Sequence, residues 1–305
     1  MICIFHSKDF DGVCSAAIVR KKYPDVTLIG MDYGKNDGPE VISNLDEGAE
    51  IIMVDFCLEP FDRMIELCHK HTLTWIDHHI SAIKEHEKSG IEIAGARDSK
   101  LAGCELTWQH VFPDEEMPTG VKLLGRYDVW DKASDPRIDP FQMGMKSKYA
   151  LDPTAKYWDK VIESNDEFIN QTCEDGKKIQ TYHKIIDAEY TSNCAFEVEF
   201  DGYTCLAVNI YPKSHQIFES VPQYDKYDVM LAFGWAKNVW KISLYTEKDN
   251  IDCSVIAQKY GGGGHKKAAG FRIDNLPFKL QGKSDKTDES IQSFEAWRKT
   301  QTDIL

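Results

Sequence analysis

Three short apolar runs near the start of the chain each stop at polar side chains that bind metals or move protons. Met1–Phe5 runs into His6-Ser7-Lys8-Asp9-Phe10-Asp11-Gly12, Glu50–Val54 into Asp55, and Thr72–Ile76 into Asp77-His78-His79. A fourth run, Val26–Met31, lies between the first two. Runs this short and this uniformly apolar suit the strands of a parallel sheet covered on both faces. Helical patterns separate them: Val13–Arg20 with small residues on its early turns, a short helix after the Gly38-Pro39 loop, and Phe61–His71, whose Met64, Ile65, Leu67 and Cys68 form one face. Strands alternating with helices at this spacing predict right-handed crossovers and a mostly parallel sheet. Such sheets take their ligands outside the carboxyl ends of the strands, so the three polar clusters are expected on one rim. An Asp before a helix is commonly a cap and an Asp after a strand a turn residue. Capping accounts for one carboxylate at the first cluster, not for two and an imidazole.

Further along, Leu101–Phe112 reads as a helix, and the apolar segment from Val121 ends on two more carboxylates, Asp128 and Asp131, before Pro136 and Pro140. From Leu151 to Tyr190 the spacing of Trp158, Val161, Ile162, Ile169, Ile179, Tyr182, Ile185 and Ile186 is helical. After Asn193 the period changes to alternation. Phe196–Phe200, the turn Asp201-Gly202 and Tyr203–Ile210 predict a hairpin, and Tyr227–Phe233 with Val239–Tyr245 a second strand pair. Cys253–Tyr260 is a short helix that leads into Gly261-Gly262-Gly263-Gly264-His265-Lys266-Lys267. The expected fold class is α/β. A domain with a mostly parallel sheet spans 1–150, a helical connector 151–192, a smaller α/β domain 193–280 and a polar tail 281–305, with Phe294 and Trp297 able to dock a last helix.

With 305 residues, 42% apolar and 28% charged, the chain suits two ordinary globular domains. Its formal charge of −14 argues against broad binding to duplex DNA, yet leaves room for a small anion held locally through metals. Nine cysteines, odd in number and without a C-x-x-C pair, make neither a disulfide framework nor a zinc ribbon. Reduced thiols in a cytoplasmic protein are expected. The start carries no basic leader, and no apolar stretch approaches the ~18 residues of a membrane span.

Gathered in one crevice, Asp9, Asp11, Asp55 and Asp128 would repel one another, and their pKa values would rise unless cations neutralised them. Two divalent metals cancel four negative charges, with His6 and His78 completing a mixed oxygen and imidazole set and Asp77 and His79 beside it. Without a thiolate, that set favours Mn²⁺, with Mg²⁺ or Co²⁺ as alternatives, over structural zinc. Two ions about 3.5–4 Å apart suit in-line attack on phosphorus. The glycine run has a plain reading as a flexible turn; flanked by His265, Lys266 and Lys267, Gly262, Gly263 and Gly264 read better as backbone wrapping an anion. Arg97, Lys100 and Arg126 stand alone and read as solvated charges.

Together, His6…Asp9-x-Asp11-Gly12, Asp55, Asp77-His78-His79, Asp128 and Gly261-Gly262-Gly263-Gly264-His265-x-x-Ala268-Ala269-Gly270 resemble the DHH superfamily of phosphoesterases with its DHH-associated C-terminal domain. The resemblance runs over both domains in order, about residues 1–275, and is nearest to the short-oligonucleotide exonucleases called nanoRNases. It implies one metal on His6, Asp9 and Asp55 and a second on Asp11, Asp55, His78 and Asp128, with Asp55 bridging. It also implies that His79 contacts the substrate phosphate, that Asp77 orients its neighbours, and that the glycine loop grips the nucleotide with His265 as the main contact. Two residues separate His6 from Asp9, where several branches of the superfamily have three. Asp128 is preferred to Asp131 because it lies nearer the end of the apolar segment. The implied protein works as a monomer or homodimer with its active site between the domains. It hydrolyses short single-stranded oligonucleotides or dinucleotides to mononucleotides; the alternatives are a RecJ-type exonuclease, a cyclic-dinucleotide phosphodiesterase or a bisphosphate nucleotidase. A non-catalytic nucleotide sensor is the alternative from another class.

Overall fold

The computed structural model describes residues 1–33, 42, 45–148, 151–210 and 215–278. The short helix expected after Pro39 falls largely outside these residues, and the tail with Phe294 and Trp297 lies wholly outside them. In the first of two compact units, Met1–Gln180, the apolar runs form β1 (Ile2–His6), β2 (Thr27–Met31), β3 (Glu50–Val54) and β4 (Thr72–Ile76). Their order is β2-β1-β3-β4 and every pairing is parallel.

Side chains alternate across this sheet into two separate cores. Cys3, Phe5, Ile52, Val54 and Ile76 face one; Ile4, Ile51, Met53 and Trp75 face the other. That two-sided burial is why the strands read as unbroken apolar runs. On the first face lies α1 (Phe10–Lys22), buried from Phe10 through Val19, with α4 (Gly103–Val111) contributing Cys104, Leu106 and Trp108 to the same core. On the second face α2 (Asp62–Lys70) inserts Met64 and Leu67, and α3 (Ile80–Ser89) follows β4. The Trp75 indole N–H donates to the Phe56 carbonyl at 3.0 Å, so this buried ring keeps its one donor satisfied.

Strand order decides where the site lies. From β1 the chain crosses to β2 on one side, then returns to β3 on the other. The connections therefore diverge at the carboxyl ends of β1 and β3, leaving a crevice there. His6 ends one of those strands and Asp55 follows the other.

The unit is completed by α5 (Thr119–Asp128), α6 (Ile138–Lys148), α7 (Tyr157–Ile162) and the first half of α8 (Asp166–Cys194). Trp158 is fully buried against Phe10, their ring centroids 6.2 Å apart. The 29 residues of α8 form one continuous helix, inside which the division between the units falls.

The second unit, Thr181–Leu305, holds β5 (Ala195–Phe200), β6 (Tyr203–Asn209), β7 (Val229–Ala236), β8 (Val239–Tyr245), α9 (Cys253–Gln258), β9 (Gly263–Gly264) and β10 (Ala268–Ile273). The strands pair in the order β5-β6-β7-β8-β10-β9, antiparallel throughout except between β6 and β7. Both expected hairpins form on two-residue turns. Asp201 (φ 53°) with Gly202 (φ 84°), and Lys237 (φ 50°) with Asn238 (φ 69°), have the left-handed pair of conformations whose twist matches the flanking strands. Among the described residues no helix is long and apolar enough to cross a membrane.

Candidate metal centre

Each polar cluster is held by backbone that leaves little choice of position. Asp9 caps α1, accepting the Gly12 N–H at 3.0 Å, and its Oδ2 lies 2.8 Å from His6 Nδ1. A Cβ at Gly12 would stand 2.1 Å from the His6 carbonyl oxygen, so only glycine lets the helix start this close to the strand end. In the first turn of α1, Asp11 is 4% exposed; its Oδ2 accepts the Gly103 N–H at 2.8 Å and its Oδ1 the Cys104 N–H at 2.7 Å. These are free amides at the N-terminus of α4. A Cβ on Gly103 would fall 2.7 Å from that of Asp55 and 3.0 Å from Asp11 Oδ2.

Asp55 is 1% exposed and adopts φ 51°. Its Oδ1 makes no hydrogen bond among the described residues, although His78 Nε2 is 3.2 Å away. Asp77, fully buried, accepts the backbone N–H of His78 at 2.7 Å and of His79 at 3.2 Å, and its Oδ1 is 2.6 Å from His79 Nδ1. One carboxylate thus fixes the direction in which both histidines leave the sheet. His78 sits at the centre, its Nε2 3.5 Å from Asp11 Oδ2 and 3.4 Å from Asp128 Oδ2. Asp128 is the last residue of α5. Asp131 is turned elsewhere, 3.5 Å from Arg126 Nη1, and Arg126 in turn pairs with the buried Glu105.

Three donor sets result: His6 with Asp9 and Asp55; Asp11 with His78 and Asp128; and Asp55 with His78 and His79. Within each, the donor atoms lie no more than 4.8 Å from one another. Electrostatics point the same way. Burial, and then the charges of Asp11, Asp9, Asp77 and Asp128, push the Asp55 carboxyl well above the ordinary range. Burial followed by Asp11 and Asp9 does the same to Asp128. At Asp9 burial pulls upward too, but the His6 ring and the Gly12 amide outweigh it and the pKa falls. Burial alone would lower His79, yet its hydrogen bond to Asp77 and the surrounding carboxylates raise it. An orphaned buried carboxylate oxygen amid several acids is what divalent cations correct. The residues fit a metal centre, with oxygen and imidazole donors and no thiolate.

Other features could not be read from the sequence. Tyr33 and Phe56 stand over His6 at centroid distances of 5.3 and 6.5 Å, and Tyr33 is 5.9 Å from His79. Both rings follow strand ends, the position that singled out the acids, but an aromatic there carries no signal of its own. Arg97 donates to the carbonyls of Trp75 and Ile93, so it and Arg126 brace the backbone around the cluster. A cavity of about 670 Å³ opens beside Asp9, Asp11 and Asp128, with Lys8 and Lys146 in its lining.

In the second unit, Gly261 (φ 74°) and Gly264 (φ 139°) require left-handed backbone, and a Cβ at Gly262 would be 2.2 Å from the Gly270 carbonyl. The Gly261 and Gly262 amides close the end of α9 on Gln258 and Ala257, while Gly263 and Gly264 pair as β9 with β10. The run is thus a turn crowded at Gly262 and Gly264, with open space at Gly261 and Gly263. His265 and Lys266 are exposed. Lys267 binds Asp249 at 2.8 Å and the Glu247 carbonyl at 3.0 Å.

Two family models match the chain. Residues 1–124 match the model of the DHH family, N-terminal domain, and residues 215–300 that of the DHHA1 domain. An uncharacterized protein of Acanthamoeba polyphaga mimivirus is 25% identical over 238 residues, 74% of this chain but only 53% of that protein's length. Oligoribonuclease NrnB of Bacillus subtilis (strain 168) is 25% identical over 312 aligned positions, 92% of this chain and 75% of NrnB. A solved structure of a pGpG-specific phosphodiesterase, PggH from Vibrio cholerae, aligns with a TM-score of 0.49 at 13% identity, covering 97% of this chain and 99% of that one.

Proposed function

For a chain that carries both a DHH family N-terminal domain and a DHHA1 domain, we propose metal-dependent hydrolysis of phosphodiester bonds in short single-stranded oligonucleotides or dinucleotides, releasing mononucleotides. The observation that carries the reading is the pair of donor sets, His6/Asp9/Asp55 and Asp11/His78/Asp128, with Asp55 Oδ1 also 3.2 Å from His78. His6, Asp9 and Asp55 would hold one divalent ion and Asp11, Asp55, His78 and Asp128 a second, Mn²⁺ being the best chemical match. Such a pair supplies an activated water and neutralises charge on the phosphate.

The remaining residues act on the substrate and on protons. His79 has its Nδ1 committed to Asp77, which leaves Nε2 as the ring nitrogen available to a phosphate oxygen. Against burial, the bond to Asp77 and the surrounding carboxylates raise its pKa, which favours the protonated ring that can donate to that oxygen. Asp77 positions both histidines and touches no substrate. NrnB is described as an oligoribonuclease, which supports a short substrate, and a chain charge of −14 argues against long duplexes. In the second unit, the exposed His265 and Lys266 and the open backbone at Gly263 are assigned to nucleotide binding. Nine free thiols suit the cytoplasm.

The test is a labelled dinucleotide incubated with Mn²⁺, followed by strands of two to about twenty nucleotides. Product should accumulate with the wild type, stop on chelation, and be absent with Asp77→Ala/His78→Ala. Cleavage that survives in the double variant removes the reading. Binding of the dinucleotide with no turnover by the wild type assigns a sensor instead.

A further inference from the structure

The cavity beside the carboxylates has features that the metal cage does not need. Phe10 and Leu124 give it apolar walls, with Tyr127 beside them, while Asp11 and Asp128 stand where it meets the cage. From α6, Gln142 also lines it. This side chain is only 8% exposed, and its Oε1 has no hydrogen-bond partner among the described residues. Buried amide oxygens are nearly always paired in folded proteins. A flat heterocycle with an N–H on its edge satisfies the walls, and also the amide once Gln142 turns its buried oxygen toward the cavity; about 670 Å³ is within the range of pockets that enclose such ligands.

We propose that this cavity is a nucleobase pocket and that Gln142 is its specificity-determining residue, its side-chain amide pairing with a base edge that offers an N–H beside an acceptor. Adenine presents that edge through N6–H and N7, guanine through N1–H and O6. The proposal rests on the phosphodiesterase reading in one respect: both place a nucleotide against Asp11 and Asp128. It adds that one base of the substrate is read by hydrogen bonding and the cleft does not accept every planar group alike. A site that hydrogen-bonds its ligand rejects an analogue lacking the donor far more strongly than one that only encloses it.

The experiment measures binding of three nucleoside monophosphates to the full chain in Mn²⁺ by calorimetry: adenosine, guanosine and unsubstituted purine riboside, whose edge has no N–H. The wild type should bind adenosine or guanosine monophosphate at least about tenfold more tightly than the purine riboside. The relative affinities of the first two identify the base. Gln142→Leu should bring all three within about twofold. Gln142→Met, of similar length and volume, serves as the second variant, with thermal melts to show that each is folded. Equal binding of the three by the wild type, or discrimination that persists in both folded variants, overturns the proposal. Hydrolysis of the matching dinucleotides is followed in parallel. Discrimination without turnover sinks the phosphodiesterase and leaves the base pocket; turnover blind to the base edge does the reverse.

Discussion

Asp55 has a backbone conformation, φ 51°, that Asn adopts nearly as readily and alkyl side chains resist. Asp55→Asn should therefore keep the turn while removing one of several crowded negative charges. Mn²⁺-dependent hydrolysis is expected to fall at least about 100-fold, beyond the usual cost of disturbing an outer partner of a metal ligand. In chelator, the same variant should melt at a higher temperature than the wild type at neutral pH. Burial and the charges of Asp11 and Asp9 hold the Asp55 carboxyl above its ordinary range, and Asn carries no charge to desolvate. A lower melt in chelator would mean that the carboxylate is stabilised by the fold alone. His79 gives a second check. Burial would lower its pKa and the bond to Asp77 reverses that, so Asp77→Asn should move the titration of the His79 ring to lower pH. Its imidazole C–H resonances in the metal-free protein report this directly, and an unmoved titration removes Asp77 as the cause.

The elements that carry these residues approach each other at glycines. Gly12→Ala would force a Cβ to within 2.1 Å of the His6 carbonyl oxygen, whereas at Gly263 a Cβ would meet nothing within 4 Å. The first change should cost about 1–3 kcal/mol or more and reduce the stabilisation that Mn²⁺ confers; the second should leave both nearly as they are. Denaturant melts of the two variants, with and without Mn²⁺, make the comparison. What was legible here followed strand periodicity. His6, Asp55 and Asp77 could be placed because a buried strand has one carboxyl end, and Asp201-Gly202 because its turn chemistry is local. Asp11 could be noticed as one acid too many for a cap. That its two oxygens take the amides of Gly103 and Cys104, 92 and 93 positions away, could not. The choice of Asp128 over Asp131 also rested on sequence position; what it could not reveal is that Asp128 lies 3.4 Å from His78 while Asp131 faces Arg126. Gln142 escaped notice because a polar residue on a helix is ordinarily a surface residue, and only its burial makes it informative.

For the whole molecule the consequence is a stability that depends on pH in opposite senses with and without metal. Asp55 and Asp128 have raised folded-state pKa values. Their contribution is present below the ordinary carboxylate range and is lost as pH rises through the raised values. Asp9, whose pKa is lowered, contributes above that range and loses its effect only in acid. Above about pH 5, where ordinary carboxylates have finished titrating, metal-free protein should therefore lose stability as pH rises. Cations bind the deprotonated forms, so the gain in melting temperature on adding Mn²⁺ should grow over the same interval. Asp55→Asn/Asp128→Asn should flatten both trends; a metal-free chain that grows steadily more stable would contradict the assignment. Sheet order was not legible. Four apolar runs do not reveal that β1 lies inside, between β2 and β3, yet that order puts the crevice beside His6 and Asp55. The two cores fill the faces of the sheet, and the cage stands past the strand tips, so Asp55 belongs to neither core. In evolutionary terms, chemistry and scaffold are separable at this position: one base change turning the Asp55 codon into one for Asn would leave a duplicated gene encoding the same fold with one donor of the cage altered.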